Sequence, residues 1–145
     1  MRATQLSTGD HGNTFALVFN TGDEVIEQLT RWCQNQGVTA ARLTGVGGFS
    51  DATVAWFDCD AREFIEIPLT EQVELLALNG DVAELDGNPA IHIHVVLGTR
   101  HGDARGGHLI AGRVRPTLEL IVDEVPAHLR KRHDPESGLA LIALA

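Results

Sequence analysis

The chain has 145 residues, 43% hydrophobic and 21% charged, the composition of a globular protein able to bury a core without disulfide or metal staples. Aromatic residues make up only 5%, so that core is mainly aliphatic, and the net charge of −9 disfavours binding to a phosphate backbone. No apolar run reaches the length needed to cross a bilayer.

Residues 1–145 read as a single domain. Met1 to Asn13 is polar, with no apolar run before a small-residue cleavage site, and this predicts a cytoplasmic protein. Cys33 and Cys59 sit in no paired-cysteine motif and read as reduced structural thiols. Thr14 to Asn20 reads as a strand with Phe15, Leu17 and Phe19 on one face. A helix follows: Thr21 and Glu24 form a capping box, Val25, Ile26, Leu29, Trp32 and Cys33 recur at helical spacing, and Gly37 closes the segment. Val38 to Thr44 and Ala52 to Phe57 read as strands separated by Gly45-Val46-Gly47-Gly48. That cluster lacks the Gly-Lys-Ser/Thr ending of a phosphate loop, so a bulge or a close backbone approach is the reading.

Phe64 to Leu69 and Val73 to Leu78 form two further strands, Asn79-Gly80-Asp81 is a weak breaker, and Asp86-Gly87-Asn88-Pro89 is a strong turn. A strand from Ile91 to Leu97 ends at Gly98, and the polar stretch from Thr99 to Gly107 reads as a loop. His108 to Val114 and Thr117 to Val122 follow, with Pro116 as a break or bulge. Pro126 to Arg132 is read as a short helix and Leu139 to Leu144 as a terminal strand. Many strands with hairpin-sized connections predict an α+β domain with a central, mostly antiparallel sheet flanked by a few helices.

The chemistry concentrates in Ile91-His92-Ile93-His94-Val95. Alternation along a strand points both imidazoles one way, with their Cα atoms about 6.6 Å apart, close enough for both to reach one ion. His108, after Gly106-Gly107, completes a set of three if its strand lies about 5 Å away beside the histidine strand. Three neutral imidazoles with an open fourth position suit zinc, and other divalent transition metals nearly as well. Glu74 and Glu119 interrupt apolar strands and are the candidates to orient the ligands, with ion pairs to Arg42, Arg113 or Arg115 as the alternative. His101, Asp103 and Arg105 lie on the loop, where they could close over a ligand.

Other constellations are weaker. The H-x-H pair is similar to a cupin motif, but Gly98 and Thr99 occupy the place of its glutamate. No serine or cysteine stands in a nucleophile motif. Positive charge concentrates only at Arg113 with Arg115 and at Arg130-Lys131-Arg132-His133, which read as solvated faces.

Taken in order, Gly45 to Gly48, Val73 to Gly80, Asp86 to His94 and Gly106 to Leu109 resemble the plants-and-prokaryotes conserved (PPC) domain. The likeness runs from the helix start at Gly22-Asp23-Glu24 to Thr117-Leu118-Glu119, with a core over about residues 14–125. The resemblance implies an antiparallel sheet flanked by helices, a homotrimer, and a stand-alone prokaryotic member; His92, His94 and His108 match histidines that in prokaryotic members look like a metal-binding cluster. Plant members carry AT-hooks for DNA, but Arg113-Val114-Arg115-Pro116 puts valine where the hook's glycine belongs. The plant partner-contacting run Gly-Arg-Phe-Glu-Ile-Leu falls on Glu71 to Leu76, with its first three residues replaced. The functional expectation is therefore a trimeric protein holding a divalent metal, zinc first, through three histidines. A DNA-associated regulatory or protein-interaction module is the alternative, and a metal-dependent hydrolytic enzyme comes third, with no catalytic residue or small-molecule ligand assigned.

Overall fold

Strand pairing dominates the chain. A computed structural model describes residues 1–9, 12–125 and 128–144. Along these residues run β1 (Arg2–Ser7), β2 (Thr14–Asn20), α1 (Val25–Gln36), β3 (Ala40–Asp58), β4 (Glu63–Leu69), β5 (Val73–Leu85), β6 (Asn88–Gly98), β7 (Ala104–Glu124), β8 (Lys131–His133) and β9 (Ala140–Ile142). The expectation of a few flanking helices is corrected to one among the described residues. Seven strands form a sheet in the order β1-β2-β7-β6-β5-β3-β4, all neighbours antiparallel, and β8 pairs with β9 separately. Because β7 also pairs with β3, the strands β3, β5, β6 and β7 close into a ring.

The core follows from alternation. Leu17 and Phe19 of β2, Leu43 and Phe49 of β3, Ile93 and Leu97 of β6, and Leu118 and Leu120 of β7 are fully buried in one cluster. Helix α1 adds Val25, Leu29, Trp32 and Cys33, packs against β6 and β7, and sets the Trp32 ring edge-on to Phe15. Gly37 ends it in the left-handed conformation at φ 70°, donating to the carbonyls of Cys33 and Gln34.

The start of α1 differs from the capping box read at Thr21. Glu24 is the cap: its backbone is extended and its carboxylate accepts from the Glu27 N–H at 2.7 Å and from the Gly112 N–H at 2.9 Å. The Thr21 hydroxyl instead donates to the Pro116 carbonyl at 2.8 Å. A full carboxylate shared by two backbone donors outcompetes a hydroxyl for the cap, and it ties the helix to β7 as well.

Two pairs of expected segments merge, and one expected breaker lies inside a strand. The strand expected from Val38 begins at Ala40, and it and Ala52 to Phe57 belong to β3, which crosses the glycine run with a register shift between Gly45 and Gly47, as a bulge predicts. Gly47 has φ 149°, and a side chain there would strike the backbone of β7, so the close approach requires glycine. The weak breaker at Asn79-Gly80-Asp81 lies inside β5, where its backbone is held between β3 and β6. Likewise β7 runs through Pro116, and its register with β3 shifts there, from Leu118 opposite Gly47 to Val114 opposite Phe49, so of the two expected outcomes the structure has the bulge and not the break.

Two expectations at the ends also change. The edge strand β1, fully exposed and without apolar alternation, was not foreseen. The helix expected over Pro126 to Arg132 is replaced over its described part: Lys131 and Arg132 belong to β8, paired with Ile142 and Leu141 of β9, and Arg130 bridges to Glu84. Pro126 and Ala127 lie outside the described residues. Tertiary pairing overrides local helical preference here.

Candidate metal centre

Strand β6 turns His92 and His94 to one face, while Ile93 and Val95 on the other are 1% and 3% exposed. A turn at Thr99–Asp103, closed by a bond from the Thr99 N–H to the Asp103 carbonyl at 2.9 Å, feeds directly into β7. The loop is thus shorter than the expected Thr99 to Gly107, because Ala104 to Gly107 already pair with β6. That pairing puts His108 directly opposite His94. On its other side β7 meets β3 at Ala55, and Gly107 makes the contact possible, since a Cβ there would lie 2.6 Å from the Ala55 carbonyl oxygen.

The result is a compact triad. One ring nitrogen from each of His92, His94 and His108 lies within 4.8 Å of the other two. The ring centroids stand 5.1 Å apart for His92 and His94, 5.3 Å for His92 and His108, and 5.6 Å for His94 and His108. Phe64 of β4 stacks on His108 at 4.9 Å and forms a wall, whereas His94 faces solvent. Nδ1 of His108 is buried and has no hydrogen-bond partner. Three ring nitrogens converging from two paired strands, on rings of which one keeps a buried nitrogen without a partner, fit a divalent transition ion with a position open to solvent.

Electrostatics keeps two of the rings neutral. Burial, then the neighbouring His92, His94 and Lys131, lowers the His108 pKa to about 4. Burial and His92 also lower that of His94. A neutral imidazole is the form that binds metal. In the absence of metal, between pH 6.5 and about 4 the unfolded chain takes up a proton that folded His108 refuses. The His108 contribution to the stability of the metal-free protein therefore falls as pH drops through that window and levels off below it. Urea midpoints at pH 7 and pH 5 with chelator present check this, and His108→Gln should flatten the difference.

The carboxylate beside the triad is one that sequence reasoning missed. Asp81 of β5 stands opposite His92, with Oδ2 3.3 Å from His92 Nδ1 and Oδ1 2.6 Å from Nζ of Lys131. Burial alone would raise its pKa, but His92 and Lys131 outweigh this and hold the carboxyl below its ordinary value. The two expected candidates lie elsewhere. Glu74 and Glu119 are exposed, and neither pairs with a histidine or an arginine among the described residues. Glu119 lines a groove with Val46, Leu76, Asn79 and Ile121. His101, Asp103 and Arg105 line a different groove with Thr99 and residues 67–71, which none of the three clustered histidines borders. The Arg113–Pro116 run is part of β7, and Val114 within it is fully buried.

The profile of the Plants and Prokaryotes Conserved (PCC) domain matches residues 6–126. The chain belongs to the PCC domain family. Among solved structures, this PCC domain is similar to a metal-containing protein of Archaeoglobus fulgidus, with 29% identity, 93% of this chain and 96% of that chain covered, and a TM-score of 0.86. It is also similar to a plant- and prokaryote-conserved protein of Pyrococcus horikoshii, with 28% identity, coverage of 97% and 99%, and a TM-score of 0.86. A third, from Ralstonia eutropha and provisionally described as DNA-binding, shares 26% identity over 90% of this chain and 91% of that one, with a TM-score of 0.83. A curated relative, the bifunctional protein GlmU of a Synechococcus strain, is 30% identical over 81% of this chain, which spans only 18% of that protein's length. No helix among the described residues is long and apolar enough to cross a membrane.

Proposed function

We propose that this PCC domain is a metal-binding protein in which His92, His94 and His108 hold one divalent transition ion, zinc first. The observation that carries the reading is the convergence of three imidazole nitrogens within 4.8 Å on paired strands. The similarity to the metal-containing Archaeoglobus protein supports it. Three neutral nitrogens leave one or more positions for water or a ligand, so the ion could serve a structural or sensory role. Elemental analysis of untagged protein tests the assignment. Wild type should carry close to one metal per chain, and the variant with His92→Ala and His108→Ala should carry none; stoichiometric metal in that variant would falsify it.

The same reading takes residues 1–145 as a single domain that works in the cytoplasm as a homotrimer. Self-association is supported by apolar side chains left in solvent on two regions: Trp56, Ile65 and Ile67 along β3 and β4, and Val46, Leu76 and Ile121 around the groove of Glu119. The DNA-associated alternative rests on the description of the Ralstonia protein. The net charge of −9 and the buried Val114 weigh against it.

A further inference from the structure

Lys131 is the one charged residue buried among the described residues, and it belongs to the short β8, fifty positions along the chain from the carboxylate it meets. A buried ammonium needs a paired anion, and Asp81 is that anion. Asp81 has a second oxygen, and it faces the His92 ring. The docking of β8 on β5 is reinforced nearby, where the Glu84 N–H donates to the Leu129 carbonyl at 2.8 Å and the Glu84 carboxylate lies 2.7 Å from His128 Nε2. One oxygen of this carboxylate thus meets a buried cation, and the other faces a candidate ligand.

We propose that Asp81 is a positioning residue for the metal centre, oriented by Lys131 so that it holds the proton on His92 Nδ1 and leaves Nε2 of that ring for the ion. The inference rests on the metal-binding reading and adds to it a source of ligand orientation outside the three histidines. A carboxylate in this place fixes the tautomer, sets the ring plane and makes the coordinating nitrogen a stronger donor. It also connects the C-terminal β8–β9 pair to the centre, because the residue that holds Asp81 in place comes from that pair.

Asp81→Asn alone strands the buried Lys131 charge and risks the fold, so the decisive protein is the double variant Asp81→Asn, Lys131→Met, which removes both charges with little change of shape. Zinc affinity is measured by competition with a chromophoric chelator, and the His92 tautomer by nitrogen NMR on the metal-free protein. The double variant should fold with a thermal midpoint near that of wild type, bind zinc about 10–100-fold more weakly, and show a mixture of His92 tautomers where wild type shows the Nδ1–H form. If wild type binds zinc and the double variant matches it in affinity and tautomer, Asp81 has no positioning role and the three-histidine assignment stands. If wild type binds no zinc, the metal reading falls and the role of Asp81 falls with it.

Discussion

Saturating zinc is expected to raise the unfolding free energy by about 2.7 kcal/mol when free metal stands a hundredfold above its Kd, and by about 4 kcal/mol at a thousandfold. The reason lies in how the site is assembled. His94 and His108 face each other only because β6 and β7 are paired, so the complete nitrogen set exists in the folded chain alone. The H-x-H pair persists in the unfolded chain and retains weak affinity there, which sets these values as upper bounds. Urea unfolding with zinc and with chelator measures the difference. In His94→Ala the zinc-dependent gain should vanish, since two imidazoles from different strands remain where three stood. An equal zinc shift in that variant would show the stabilising ion to be bound elsewhere.

Phe49→Ala should cost about 3–5 kcal/mol of stability whether or not metal is present. Phe49 is fully buried and follows the glycine run of β3 at the point where that strand pairs with Val73 of β5 on one side and Val114 of β7 on the other. Its ring lies against Gly112, where a Cβ would come within 2.7 Å of Cε1. Glycine on one strand makes room for a large ring on the next, and truncating the ring leaves a cavity that paired strands cannot close. Denaturant unfolding measures the loss, and a cost below about 1 kcal/mol would mean that the site collapses around the smaller side chain.

Much of this was legible in the chain. The period-two pattern of β6, with His92 and His94 opposite Ile93 and Val95, carried both the strand and the shared face of the imidazoles, because alternation is a local property. Gly37 marked the helix end for a similarly local reason. What escaped depends on partners. β1 has no buried face and so no pattern, yet it forms by pairing with β2. Asn79-Gly80-Asp81 has turn-like composition, but Gly80 is held close to β6, so its neighbours extend instead of turning. The role of Asp81 had no signal of its own, since it requires the register with His92 and a lysine from a distant strand.

The cross-strand pairing of His94 with His108 also determines where the chain can vary in length. A strand shows alternate residues to alternate faces, so adding or removing one residue between Ala104 and Gly107 would turn His108 towards the core and dismantle the triad. The turn at Thr99–Asp103 lies outside the ladder that aligns these rings. Its length and sequence are therefore free to diverge, and a segment of different size could be grafted there without disturbing the three nitrogens a few residues away.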